Sequence, residues 1–341
     1  MAQSNTITQP GSPDLPGRPT PRDTMRSAGR MAGPFLGLAL VLLLFSIKPD
    51  VRSSFLAVGN FRIVAAQTVI VALGALGMTI IMISGGIDLS VGSVIALTCV
   101  IAALMIKAGQ PAIVALCVAA LSGGVVGAIN GSLIAGLRVT PFIVTLGTLG
   151  VARGAAKWLA QEQTINPPSS ALNNLAATQP VPSWLLVSPG VWITLALAIL
   201  TAILLRYTLL GRYIFAIGSN EIASRLGGLR VDALKIGIYA LGGLFFGLAG
   251  ALQYGRLGMG DPTVAVGAEL DIIAAVVIGG GSLSGGEGSV LGSILGALIM
   301  SFLRNGSQQM GWPAYVEEMI IGAVIVAAVA LDQIRHRGRK G

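Results

Sequence analysis

The stretch GRYIFAIGSNEIASRLGGLRVDALK, residues 211–235, is the longest charged run between hydrophobic segments anywhere after the first thirty residues. It predicts a short amphipathic helix on a water-facing loop. Ser219 can cap its N-terminus, Glu221 lies in the first turn, Arg225 in the last, and Gly227 and Gly228 stop it. Ile222, Leu226 and Leu229 recur at i, i+4 and i+7, a narrow apolar stripe suited to a groove on a soluble partner. The plain alternative is a solvated helix that only joins two membrane spans.

The sequence on either side belongs in a bilayer. Of 341 residues, 54% are hydrophobic, only 11% are charged and 47 are glycine, a balance foreign to soluble domains of this size. Each crossing takes roughly 20 mostly apolar residues, so there is room for about ten spans and little extramembrane mass. ATP hydrolysis or selective capture of a solute would therefore fall to other polypeptides. The net charge of +8 does not mark a nucleic-acid binder, because Lys and Arg are not clustered with exposed aromatics. They follow topology instead. With both termini cytoplasmic, Arg18, Arg22, Arg26, Arg30, Arg138, Arg206, Arg212, Arg225, Arg230, Lys235, Arg335, Arg337, Arg339 and Lys340 lie inside, 14 of the 22 basic residues. Cys99 and Cys117 lie in apolar spans and are expected to be small buried hydrophobes, and the single histidine, His336, belongs to the basic tail.

Three regions are predicted: a Pro-rich head at 1–30 too polar to bury a core and expected to be disordered, a membrane body at 31–334, and a basic tail at 335–341. No cleavable signal is evident, since the first apolar run comes late and charged residues follow it. The spans are expected near 31–47, 63–83, 89–106, 112–137, 140–160, 191–205, 236–254, 264–278, 290–303 and 315–331, with the charged loop at 206–235.

Two Gly-rich stretches, SGGIDLSVGS (84–93) and GGGSLSGGEGS (279–289), interrupt the apolar sequence. Non-helical backbone at membrane depth is tolerated only where it is buried in protein or faces water. Gly85, Gly86, Asp88, Ser90, Gly279, Gly280, Ser284, Gly285 and Gly286 are therefore candidate helix-break positions. Asp88 is either a functional carboxylate at the membrane edge or an N-terminal cap of the third span. SLSGGE (282–287) resembles the signature of a nucleotide-binding domain, but no GxxxxGK[ST] loop accompanies it. It reads better as a break between helices, with Glu287 near a helix N-terminus. Gly123, Gly127 and Gly131 form a packing ladder that Gly288, Gly292 and Gly296 repeat at an offset of 165 residues. Val125 and Val290, Leu133 and Leu298, and Ile134 and Ile299 match at the same offset, so two halves of similar design are implied. Under the span count above they are inverted repeats, as in alternating-access transporters.

No HExxH motif, cysteine cluster or Ser/His/Asp set can be assembled, so neither catalysis nor a metal is expected of this chain. An ion-coupled secondary carrier or facilitator is the competing class. Such carriers use carboxylates or histidines within the spans, and here the span centres are almost free of charge. Uncharged polar groups remain for a path, among them Asn130, Thr145 and Thr148, with Phe142 on the same three-residue step.

Five stretches together resemble the permease subunits of ribose-type sugar ABC importers, within the wider group that includes branched-chain amino acid permeases. They are SGGIDLSVGS (84–93), RVTPFIVTLGTLGVARG (138–154), AIGSNEIASRLGGLRVDALK (216–235), DPTVAVGAELDIIAAVVIGGGSLSGGEGSVLGS (261–293) and the terminal VALD before the tail. The likeness covers about residues 35–333. It implies an all-α, ten-span subunit that pairs with a second copy in the bacterial inner membrane. The implied partners are a cytoplasmic ATP-binding subunit with two ATPase domains, which holds the ATP and Mg, and an extracytoplasmic solute-binding protein. It further implies that Asn220, Glu221, Ile222, Arg225, Leu226 and Gly227 form the coupling helix docked on the ATPase. Ile222 stands where the family commonly has an acidic residue, and Gly227 where it has Ser. The implied solute is a monosaccharide, with a polyol or a branched-chain amino acid as alternatives.

Overall fold

Glycines and prolines divide the apolar sequence into helices close to where the spans are expected. The computed structural model describes residues 21–180 and 184–337, without the side chains of 21–32, 328 and 331–337. Residues 1–20 of the head, and the tail from 338, lie outside the described residues. In chain order the helices are α1 (Pro21–Ser46), α2 (Pro49–Phe55), α3 (Val58–Ile83), α4 (Val91–Lys107), α5 (Ala112–Leu137), α6 (Pro141–Leu159) and α7 (Ala171–Ala176). There follow α8 (Pro189–Tyr207), α9 (Leu209–Ser219), α10 (Glu221–Leu226), α11 (Val231–Leu257), α12 (Ala268–Ile278), α13 (Val290–Gln309) and α14 (Ala314–Arg337). Helix α1 begins at Pro21, ten residues ahead of the expected first span. Among the described residues the only β feature is one bridge, Ile165 to Gly260.

Among the described residues five helices, α3, α5, α8, α11 and α13, are long and apolar enough to cross a membrane. Of the other helices expected to span, α4, α12 and α6 fall short for separate reasons. Helix α4 has 17 residues. Helix α12, with 11, is only about 16 Å long at 1.5 Å per residue, and α6 carries Arg153 and Lys157.

The chain alternates between two ends. Around one cavity gather the break after α3, Ile134 near the end of α5, Pro141 at the start of α6, Gly218 near the end of α9 and Tyr239 in α11. At the far end of α11, about 27 Å beyond Tyr239 at helical rise, Ile165 pairs with Gly260 and Asn173 Nδ2 donates to the Gly255 carbonyl at 3.1 Å. Helix α3 is the central element, enclosed by α11, α13, α12 and α8.

The glycine ladders are packing surfaces. A Cβ on Gly127 would overlap the Tyr239 carbonyl, and one on Gly131 would lie 2.7 Å from Ile236 Cα, so α5 and α11 touch backbone to backbone. In α13, Gly292 meets the Gly279 carbonyl and Gly296 the Ala275 carbonyl. Gly127→Leu is expected to destabilise the subunit by at least about 1–3 kcal/mol, the usual cost of overpacking. Gly136→Leu, where a side chain meets nothing within 4 Å, should stay within about 0.5 kcal/mol. Thermal midpoints of the detergent-solubilised variants check this pair. Cys99 is buried as expected, but Cys117 is not, because it faces outward from α5.

Candidate functional site

The charged loop folds into two helices, not one. Thr208, in extended backbone, starts α9 by accepting a bond from the Gly211 N–H at 3.1 Å. Helix α9 then carries helical geometry through Ser219, so Ser219 is not the expected cap. Asn220 is: its φ of −159° is extended, and its Oδ1 accepts from the Ala223 N–H at 2.9 Å. Helix α10 stops at Gly227 and Gly228 as the sequence predicts. The Gly228 N–H bonds the Arg225 carbonyl and the Leu229 N–H the Ser224 carbonyl, both at 3.1 Å. That is a Schellman closure, with Gly228 at φ 85°.

This six-residue helix presents its apolar side outward. Ile222 is 74% exposed and Leu226 84%, while Ser224 is turned in. Its charged residues are already engaged. Glu221 Oε2 is 2.8 Å from Lys235 Nζ, and Glu221 Oε1 is 3.4 Å from Arg225 Nη2. The Arg225 fork closes on Asp232 at 2.8 and 3.0 Å. Partial burial raises the Glu221 carboxyl, but Lys235 and Arg225 outweigh that and hold it below the usual carboxylate value. Hydrogen bonding to Asp232 holds the Arg225 guanidinium above its usual value.

Immediately behind α10 the two Gly-rich breaks meet. Helices α3 and α12 end with the same closure as α10, with Gly85 (φ 84°) and Gly280 (φ 89°) in the left-handed position. The Gly286 N–H donates to the Ile83 carbonyl at 2.8 Å, joining the second break to the end of α3. Gly218 fills the remaining space: a Cβ there would overlap the Ile83 carbonyl and lie 2.7 Å from Gly286 N. A cavity of about 250 Å³ opens among Ser84, Gly86, Asn220, Glu221, Tyr239 and Ser284. Ser289 caps α13, accepting from the Gly292 N–H at 3.2 Å. The sequence signal for Gly218 was present in AIGSNE, but a lone glycine before a cap does not reveal which backbone it meets.

Asp88 does not cap α4, whose first residue is Val91. Its Oδ1 accepts from the Ser90 N–H at 2.8 Å and from the Ser90 hydroxyl at 2.5 Å, closing a turn ahead of the helix. Oδ2 accepts from Asn130 Nδ2 at 3.2 Å, and Thr148 Oγ1 donates to Asn130 Oδ1 at 2.6 Å. Asp88, Ser90 and Asn130 are buried, so this chain of bonds ties the first break to α5 and α6. The face expected for Phe142, Thr145 and Thr148 is divided. Thr145 is buried and bonds the Pro141 carbonyl at 2.9 Å, whereas Phe142 is 53% exposed. Three-residue steps turn about 60° short of a full circle on a helix, enough to separate 142 from 148.

Charge does occur inside the bundle. Asp271 of α12, Arg304 of α13 and Glu317 of α14 form a triad, with Arg304 Nη2 to Asp271 Oδ2 and Arg304 Nη1 to Glu317 Oε1 both at 2.6 Å. Both carboxylates are buried. Sequence reasoning missed it because span nine was ended at Leu303, whereas α13 continues to Gln309 and carries Arg304 within it. Among the described residues no group of three metal-ligating side chains converges.

The profile of the family described as branched-chain amino acid transport system / permease component matches residues 60–329. The chain is 38% identical over 295 residues to the ribose import permease protein RbsC of Escherichia coli (strain K12), covering 86% of this chain and 92% of that protein. It is 39% identical over 302 residues to RbsC of Bacillus subtilis (strain 168), covering 88% and 92%. With the L-arabinose ABC transporter permease protein AraH of Azospirillum brasilense it shares 32% over 305 residues, 89% of each. No solved structure matches the chain.

Proposed function

The chain belongs to the branched-chain amino acid transport system / permease component family, and from that premise we propose that it is the membrane subunit of an ATP-binding cassette importer for a monosaccharide. The sugar follows from relatives that are ribose and L-arabinose permeases. The observation that carries the mechanism is α10, a capped helix whose Ile222 and Leu226 stand out from the rest of the described residues. An outward apolar face of this kind is suited to a partner's groove.

The subunit is a multi-pass inner-membrane protein and does no chemistry of its own. ATP and Mg are held by a cytoplasmic subunit with two ATPase domains, which docks on Asn220, Glu221, Ile222, Arg225, Leu226 and Gly227. A second copy completes the path, and a solute-binding protein delivers the sugar at the opposite end. With ten crossings both termini lie on one side, taken as cytoplasmic from the distribution of Lys and Arg, with the head at 1–30, the membrane body at 31–334 and the tail at 335–341. Helix α5 runs toward the cluster of breaks and α13 away from it, in keeping with halves that are inverted repeats. Phe142 faces the path, and Asn130, Thr145 and Thr148 form the wall behind it.

Closure of the ATPase pair pushes α10. Through Gly218 the push reaches the ends of α3 and of the α12–α13 break together, which alternates access to the path. Gly218→Ala forces those backbones apart and is expected to lower uptake about tenfold, with the protein still in the membrane; uptake normalised to membrane protein level checks it. The class is tested in proteoliposomes with ATP inside and radiolabelled D-ribose or L-arabinose supplied outside with the binding protein. Accumulation should require the ATPase subunit, ATP and the binding protein. Uphill transport by this chain alone, lost when an ion gradient is collapsed, would make it a secondary carrier.

A further inference from the structure

Helix α10 has almost no apolar anchorage. Only Ser224 is buried, Ile222 and Leu226 point away, and the helix is followed by Gly227 and Gly228 before α11 begins at Val231. No side chain packs near Gly228, whose added Cβ would meet nothing within 4 Å. A push on Leu226 could therefore be absorbed as rotation about this glycine pair. What opposes rotation is a line of four alternating charges, Lys235, Glu221, Arg225 and Asp232, at 2.8, 3.4 and 2.8 Å. Two of the four sit on α10 and two on the first turns of α11, so the line crosses the glycine pair twice.

We propose that Asp232 and Lys235 are positioning residues that brace the coupling helix to α11, and that the brace, not the glycine turn, carries the motor's displacement into the bundle. This rests on the coupling role of α10 given above. Helix α11 suits the task, because it packs against α3, α4 and α5 and meets α5 backbone to backbone. The line is charge-balanced, so the apolar contact with the ATPase still falls to Ile222 and Leu226. Isolated exposed ion pairs contribute little, but here the Arg225 fork is bidentate and Lys235 is only 18% exposed, the two circumstances in which geometry is held. Added salt should loosen the exposed half of the line, since charges are screened over about 8 Å at physiological ionic strength.

The test uses the complete importer, with its ATPase subunit and binding protein, in proteoliposomes with D-ribose and L-arabinose as probes. Asp232→Arg and Lys235→Glu are each expected to lower sugar moved per ATP hydrolysed about fivefold, with the ATPase subunit still co-purifying. Asp232→Glu and Lys235→Arg, which keep each charge and leave Glu221 and Arg225 untouched, should hold the ratio to within about twofold of the parent. Unchanged sugar per ATP in the charge-reversed variants, or charge-keeping variants as uncoupled as those, would overturn the brace. Transport of neither sugar by the parent complex, or an ATPase subunit that does not bind it, counts instead against the function on which the brace depends.

Discussion

Leu226→Asp is expected to abolish uptake and ATPase stimulation while leaving the subunit inserted and folded. Leu226 is 84% exposed and touches no core, so the substitution should change stability by no more than about 0.5 kcal/mol. In the complex the same side chain is the centre of a small contact, the position where truncating an anchor typically costs about 2–4 kcal/mol. A carboxylate forced into an apolar cleft adds desolvation to that loss. At about 1.4 kcal/mol per tenfold, the ATPase subunit would bind roughly 30- to 1,000-fold more weakly. Ile222→Asp should behave alike, being 74% exposed on the same side, and Leu226→Met should be tolerated. Co-purification of the ATPase subunit and uptake of labelled sugar are the measurements. Normal uptake by Leu226→Asp would remove the coupling assignment.

Arg304→Met should be the most damaging single change inside the bundle. Arg304 neutralises Asp271 and Glu317, whose side chains are 5% and 10% exposed, and its removal leaves two buried carboxylates facing each other. Breaking a fully buried pair costs about 3–5 kcal/mol; Arg304 is itself 37% exposed, so about 2–3 kcal/mol is expected here. The loss should appear as a lower thermal midpoint and weaker attachment of α14, which the triad links to α12 and α13. Arg304→Lys keeps the charge but cannot serve both carboxylates with one planar fork, and should fall between. Adding Asp271→Asn and Glu317→Gln to Arg304→Met should recover most of the stability, because no uncompensated charge then remains. If the triple variant is as unstable as Arg304→Met, the loss is one of packing and the electrostatic account fails.

Helix boundaries were legible where a local rule sets them. Helix α5 spans the predicted 112–137, because Pro111 precedes it and no charged residue interrupts it before Arg138. Helix α10 stops at its two glycines because only a left-handed residue lets the Schellman bonds form there. The cap was misplaced by one residue, from Asn220 to Ser219, because both types can cap and the choice depends on how far α9 extends. The candidate site was legible in outline: Ile222 and Leu226 were singled out by spacing and do face outward. Glu221 and Arg225, which the family resemblance gives to the partner, also form ion pairs with each other and with Lys235 and Asp232 of α11.

Composition, glycine spacing and the order of motifs determined the class of this protein, since the bilayer's demand for apolar length and closed backbone bonding acts on local sequence. Tertiary structure alone decided that Gly218, Ile83 and Gly286 share one point, that Asn130 and Thr148 belong to the Asp88 network, and that Arg304 joins two carboxylates from other helices. These contacts link residues tens to hundreds of positions apart. No periodicity encodes them, because they depend on how whole helices cross and not on what any one helix contains.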